Sequence, residues 1–321
     1  MFESIQIRHE YGSYNDLTLY LDDPEGSMGF AIVSVDGLGA GKATTNTVDW
    51  AILDGSSLAN IRIPKRTITI ELRFIERYND ESNKYESVAD IREKSYWYFP
   101  MKKQVRLYFT KIDYYGHRTV YYIDGIVDKN EPNIWSNAEG CSIEILCLDP
   151  FFKDNTEEEI SFTQITDHFH FIYPDEDQDT GTIVCTHPDA ETPVGPVSSI
   201  ITYDTLPIEN ASNIDVGAIF EIQCLGGTVK NPEIINKTTN EHFRLLYTMT
   251  EGETITINTR DATHTIVSNK TDNILAYVDL RADDWISFSP GINEIKRKCD
   301  NSDHLDYFLM TVKLKPRFVG I

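Results

Sequence analysis

A mainly-β fold, arranged as two β-sandwich domains with one helix in the first, is what this 321-residue sequence predicts, and three observations carry the prediction. Apolar residues recur at every second position almost throughout, the period of a half-buried strand. The segments showing that period are short, rich in β-branched and aromatic residues, and separated by Gly, Asn, Asp or Pro. The length, at roughly 100 to 200 residues per domain, calls for two cores instead of one.

The alternation is cleanest from Thr67 to Phe74, where Ile68, Ile70, Leu72 and Phe74 share one face and Thr67, Thr69, Glu71 and Arg73 the other. Val105 to Thr110, Thr119 to Ile126 and Ser142 to Leu148 read the same way, with Ile143, Ile145 and Cys147 on one side of the last. In the second half, strands are predicted at Ala218 to Leu225, Glu253 to Thr259, His264 to Val267, Ile274 to Leu280 and Leu309 to Leu314. One segment breaks the pattern. Val88, Ile91, Ser95 and Tyr98 follow helical spacing, Ser87 and Asp90 have the spacing of a capping box, and Pro100 stops the run, so residues 87–99 are predicted to be helical and to pack an apolar stripe on a sheet.

A composition shift after Asp149-Pro150-Phe151-Phe152 places a domain boundary there. Residues 1–152 carry 16 basic and 23 acidic side chains, a net of −7, and residues 153–321 carry 13 and 28, a net of −15. Long loops are expected within 156–207, where prolines are frequent from Tyr173 onward.

The total charge of −22 disfavours capture of nucleic acid, which rests on lysine and arginine neutralising the backbone. No stretch approaches the roughly 18 apolar residues of a membrane span, and the first ten residues lack a basic-then-apolar signal pattern, so no membrane insertion is expected and the chain is expected to be made and assembled in a cytoplasm. The five cysteines, Cys141, Cys147, Cys185, Cys224 and Cys299, read as reduced, buried thiols. Cys141 and Cys147 would lie about 20 Å apart on one strand, too far to bridge.

Several constellations invite chemistry. Gly37-Leu-Gly-Ala-Gly41-Lys42 resembles a phosphate loop, but Asp36 and Ala43 stand where that motif needs Gly and Ser or Thr, and poor helix formers follow, so a turn between strands is the better reading. Asp175, Asp177 and Asp179 alternate as at the opening of a calcium loop, yet Gly181 is one place late and Thr186 stands at the twelfth position, which leaves a solvated acidic loop as the alternative. His168, His170 and His187 are a weak zinc candidate. The pair Asp283-Asp284 has the residue type for glycoside hydrolysis but arises readily by chance among 51 carboxylates. Trp285, with Tyr203, Tyr247 and Tyr277, is the aromatic candidate for stacking a sugar. No catalytic residue, no metal site and no cofactor is predicted.

Taken together, Val35-Asp-Gly-Leu-Gly39, Asp54-Gly-Ser56, Ile63-Pro-Lys-Arg66 leading into the alternating strand, Lys102-Lys-Gln-Val-Arg-Leu-Tyr108 after the helix, and Ile143-Glu-Ile-Leu-Cys-Leu-Asp-Pro-Phe-Phe152 resemble the distal tail protein family of long-tailed, siphovirus-like bacteriophages. Gly252-Glu-Thr-Ile-Thr-Ile-Asn-Thr259, Leu280 to Trp285 and Ser289-Pro-Gly-Ile-Asn-Glu-Ile295 are similar to its galectin-like or carbohydrate-module-like sandwich, with Val312 to Ile321 as closing strand and tail. The resemblance implies a non-enzymatic virion component at the tail tip, or baseplate. Residues 1–152 would form the ring of a hexameric hub, and residues 153–321 a galectin-like sandwich facing outward. It implies as partners the tail tube protein, a tail-associated hub or fibre protein and a receptor-binding protein, with DNA passing through the lumen without specific binding. The alternative is a carbohydrate-binding module that adsorbs to host surface glycans. Edge-capable strands such as Thr67 to Phe74 are candidates for the ring contact, though the sequence does not identify which strands form it. Arg62, Lys65, Arg66, Lys102 and Lys103 are expected where acidic neighbours meet them.

Overall fold

The computed structural model describes residues 1–9, 16–23, 26, 28–50, 54–79, 83–134, 138–167, 198–260, 264–272, 274–283, 285–301 and 307–321. The chain forms two compact units. Met1–Glu157, Ser212–Ile214 and Lys315–Ile321 make the first, and Glu158–Ala211 with Asp215–Leu314 the second, so the last seven residues return to the first unit.

The first unit comprises β1 (Phe2–His9), β2 (Leu17–Tyr20), β3 (Phe30–Asp36), β4 (Thr44–Asp49), β5 (Ser56–Arg62), β6 (Arg66–Phe74), β7 (Arg77–Asn79), β8 (Lys84–Glu86), α1 (Val88–Tyr98), β9 (Gln104–Ile112), β10 (Arg118–Pro132), β11 (Gly140–Cys147) and β12 (Phe152–Asp154). Seven strands join in the antiparallel order β2-β1-β9-β10-β11-β6-β3. Ile5 and Ile7 from one end of that path and Phe30 from the other belong to one buried cluster, so the sheet wraps its own core. Period-two alternation dictates the faces: Ile68, Ile70, Leu72 and Phe74 of β6 are buried, as are Val105, Leu107 and Phe109 of β9 and Ile143, Ile145 and Cys147 of β11.

Helix α1 forms where its caps place it. Ser87 Oγ accepts from the Asp90 amide and the Asp90 carboxylate accepts from the Ser87 amide at 2.9 Å, satisfying two of the donors that a helix start leaves open. Its last turn is held from the sheet: Asn130 Nδ2 on β10 donates to the carbonyls of Ser95 and Phe99, and His9 Nε2 on β1 donates to the Tyr98 carbonyl at 3.0 Å. Ile91, Tyr98 and Phe99 then join the core, where Phe30 meets the Tyr98 ring edge-on at 5.9 Å.

The second unit contains β13 (Glu158–Ser161), β14 (Thr163–Asp167), β15 (Ser198–Thr202), β16 (Thr205–Asn210), β17 (Val216–Cys224), β18 (Thr228–Lys230), β19 (Glu233–Asn236), β20 (Glu241–Leu245), β21 (Thr248–Thr250), β22 (Thr254–Asn258), β23 (Thr265–Ser268), β24 (Val278–Asp283), β25 (Ser287–Phe288), β26 (Gly291–Lys298) and β27 (Phe308–Leu314). One sheet runs β13-β27-β17-β22-β23 with β25 beside β17, and another runs β16-β26-β19-β20-β24. Phe220, Ile222, Phe308, Met310 and Val312 from the first, with Ile234, Phe243 and Ile295 from the second, are buried. The strand expected over Ile274 to Leu280 opens instead as a 3-10 turn, Ile274–Tyr277, and extends only from Val278.

Polar side chains order the corner at residues 286–293. Asn293 Nδ2 donates to the carbonyls of Ser289 and Gly291 while its Oδ1 accepts from the Ser289 amide, and Asn236 and Asn210 donate to the carbonyls of Ser287 and Phe288. These buried amides supply hydrogen-bond partners to main-chain carbonyls at the ends of β25 and β26. Arg297, 1% exposed, donates from Nε to the Tyr203 carbonyl and stacks over Phe308.

Candidate functional site: an assembly surface

Strand β28 (Arg317–Phe318) pairs with β12 and is the first of three contacts that tie the chain's end into the first unit. Ile321 N donates to the Leu38 carbonyl at 3.1 Å, and Arg66, buried beneath, donates from Nη1 to the Gly37 carbonyl at 2.9 Å and from Nη2 to the Val319 carbonyl. The glycine-rich stretch 37–42 is therefore a turn between β3 and β4 that receives the C-terminal residues. Burial lowers the Arg66 guanidinium from its usual range, and its ring partner Phe152 lies 4.7 Å away. Arg66 is thus a buried interior group and not the surface cation expected from the sequence, whereas Arg62, Lys102 and Lys103 are exposed.

Strand β6, the expected contact edge, is interior: β11 pairs with one side of it and β3 with the other. Alternation reports which face of a strand is buried and carries no information about its edges. Among the described residues, one surface that stands open to water is the hairpin of β4 and β5. Its register runs from Thr44 opposite Arg62 to Asp49 opposite Ser56, with an irregularity between Asn46 and Thr47. At the return of the hairpin Gly55 sits at φ +113°, a conformation glycine adopts readily, and its carbonyl accepts from the Trp50 amide at 3.3 Å. Val48 is 57% exposed, Trp50 52%, Leu58 59% and Ile61 56%. A two-stranded hairpin is marginal alone in water, and burying side chains of this size releases about 1.5–3 kcal/mol each. The hairpin thus holds four large apolar side chains half or more exposed to water. Sequence reasoning singled out Asp54-Gly-Ser56 but not Val48, Trp50, Leu58 or Ile61, because Thr44–Asp49 and Ser56–Arg62 are mostly polar and show no clean alternation.

A second outcrop is the turn between β9 and β10. Asp113 Oδ1 accepts from the amides of Tyr115 and His117, and Oδ2 meets His117 Nδ1 at 2.9 Å. The His117 contacts, side chain first, hold the Asp113 carboxyl below its ordinary range. The loop presents Tyr114 and Tyr115, 97% and 81% exposed, with their rings edge-on at 5.6 Å.

The remaining candidates divide. Asp175, Asp177, Asp179, His168, His170, His187, Cys185 and Asp284 lie outside the described residues. Trp285 is partly buried, its indole stacked on His264 at 4.3 Å and beside Phe243 at 5.4 Å. Tyr247 and Tyr277 pack against each other at 5.0 Å. Burial pushes the thiols of Cys141 and Cys147 up to about 12, which keeps them protonated and weakly nucleophilic at neutral pH. Among the described residues, no three His, Cys, Asp or Glu side chains converge as a metal site would require, and no helix is long and apolar enough to cross a membrane.

Comparison with known proteins gives the fold a context. Residues 211–318 match the family model of the siphovirus-type tail component, C-terminal domain. The chain is similar in structure to the phage SPP1 Dit protein, described as a paradigm of the hub adsorption apparatus in phages infecting Gram-positive bacteria, with TM-score 0.57, 12% sequence identity, and 97% of this chain and 98% of that one covered. A looser likeness, TM-score 0.39 at 12% identity with 98% of each chain covered, is to the phage P2 baseplate in its activated conformation with calcium, and it adds nothing to the fold assignment. No curated protein matches the chain in sequence.

Proposed function

We propose that this chain, which carries in residues 211–318 the C-terminal domain of the siphovirus-type tail component, is a non-enzymatic hub of a phage tail tip that assembles as a hexameric ring. In this reading the first unit makes the ring and joins the tail tube, and the second unit offers docking surfaces to a tail-associated hub or fibre protein and a receptor-binding protein. The protein acts in the virion and is assembled in the host cytoplasm. The family match supports the tail role, and the SPP1 Dit protein, which shares the fold, is itself described as a hub.

The observation that carries the ring is the β4–β5 hairpin, whose Val48, Trp50, Leu58 and Ile61 leave two faces of a thin element open to water. Closed rings need heterologous contacts, one patch of each subunit against a different patch of the next, and a projecting hairpin seated on a neighbour is such a contact. Native mass measurement and negative-stain images of the purified full chain test it: six copies and a six-fold ring are expected, and a monomer at all concentrations rejects the reading.

A further inference from the structure

The outer face of β1, β9, β10 and β12 concentrates positive charge on a chain whose total is −22. Tyr108 and Tyr122 lie side by side with ring centroids 5.9 Å apart. Arg8 stacks over Tyr108 at 4.8 Å, and three cations surround the Tyr122 ring: Arg106 at 4.6 Å, Lys315 at 4.7 Å and Lys153 at 6.0 Å. Two carboxylates thread between them. Asp124 accepts from Arg106 Nε at 2.5 Å and lies 3.8 Å from Lys153, while Asp149 bridges Lys153 at 3.0 Å and Arg317 at 2.6 Å. Beside this row opens a cleft of 610 Å³, lined by the cations Arg8, Arg106 and Lys153, by the carboxylates Asp124 and Asp149, and by the partly exposed apolar side chains Ile126, Leu146 and Leu148.

A third carboxylate, Asp16, pairs with Arg8 at 3.6 Å, so the five cations Arg8, Arg106, Lys153, Lys315 and Arg317 exceed the three carboxylates among them by two, a local positive surplus that a further anion would complement. The apolar part of the lining adds burial for the side chain next to that anion. We propose that this cleft is a docking site for carboxylates of a second copy of this chain, so that assembly of identical acidic subunits runs through local complementarity against a repulsive total. Charge complementarity selects the occupant: residues 153–321 supply 28 acidic against 13 basic side chains, a ready source of carboxylates on the same molecule. This inference rests on the ring reading and names a surface separate from the hairpin.

The test follows the assembled fraction of the full chain by mass photometry from 50 mM to 1 M NaCl, for the native sequence, the double variant Arg8→Glu/Lys315→Glu, and the control Lys84→Glu on the β7–β8 hairpin. A glutamate at position 8 gives up the pair with Asp16, whose partners are half-exposed, and faces Arg106 across the strands, so the sheet is expected to form, and circular dichroism verifies this. At least a tenfold weaker assembly is expected at high salt and for the double variant, with the control unchanged. Assembly that forms normally in the double variant and ignores salt overturns this inference and leaves the ring standing. Absence of any assembly in the native chain overturns both. If assembly is unaffected while inorganic polyphosphate binds the native chain and not the double variant, the cleft serves a phosphate polymer and the proposal is also overturned.

Discussion

Cutting Arg66 back to alanine should loosen the C-terminal residues from the first unit and lower its stability by about 2–3 kcal/mol. The figure comes from three contacts. The guanidinium donates to the carbonyls of Gly37 and Val319 and stacks on Phe152 at 4.7 Å. A hydrogen bond from a charged donor contributes about 1.5–3 kcal/mol and a cation over a ring about 0.5–1 kcal/mol. Relief of the burial cost borne by the guanidinium offsets roughly half of that gross gain. For a unit of this size each kcal/mol moves the melting temperature by about 2–4 °C, so a fall of about 5–10 °C is expected for the Arg66→Ala variant. A chain ending at Leu314 loses in addition the Phe318 contact with the Tyr121 ring and the Ile321 hydrogen bond to Leu38. Because Arg66 and the terminal residues act on each other, combining the two changes should cost about 1 kcal/mol less than the separate losses together. Urea unfolding of all four chains measures this. A melting temperature within about 1 °C of native for Arg66→Ala, or strictly additive losses, would refute the idea that Arg66 fastens the chain end.

Further outcomes follow from other contacts. Trp50→Ala should weaken assembly by at least tenfold while leaving the melting temperature of the dissociated chain nearly unchanged, which concentration-dependent sedimentation measures; a parallel loss of fold would place Trp50 in a core instead. Gly217→Ala should destabilise the second unit by about 3 kcal/mol or more, since a Cβ there would lie 2.0 Å from the Thr259 carbonyl oxygen, and urea unfolding reads the shift. Burial lowers the His9 pKa from 6.5, the backbone hydrogen bond to Tyr98 opposing it, so the folded state binds the proton less readily than the unfolded one. Its contribution is then fully present above pH 6.5 and is lost as pH falls through the folded-state value. His9→Gln, which keeps a donor for the Tyr98 carbonyl, should flatten the stability slope below pH 6.5. Iodoacetamide at pH 8 should leave Cys141 and Cys147 unlabelled in the native chain and label both in urea, as peptide mass spectrometry will show.

What the sequence determined by itself was the local order. Alternation placed the buried faces of β6, β9 and β11 because a pleated strand turns successive side chains to opposite sides whatever lies beyond it. The Ser87–Asp90 spacing and Pro100 placed α1, because caps act within a turn of the helix end. The resemblance carried by segments such as Asp149-Pro-Phe-Phe152 pointed to a tail protein, and the match over residues 211–318 agrees. Only the tertiary structure decided which strands are edges, so it moved the free surface from β6 to the β4–β5 hairpin. It also decided that Arg66 lies inside, under a C-terminal segment more than 250 positions away, and that Trp285 lies against His264. Edge, burial of a charge and ring stacking are properties of partners distant in the chain, and residue spacing along one strand holds no record of them.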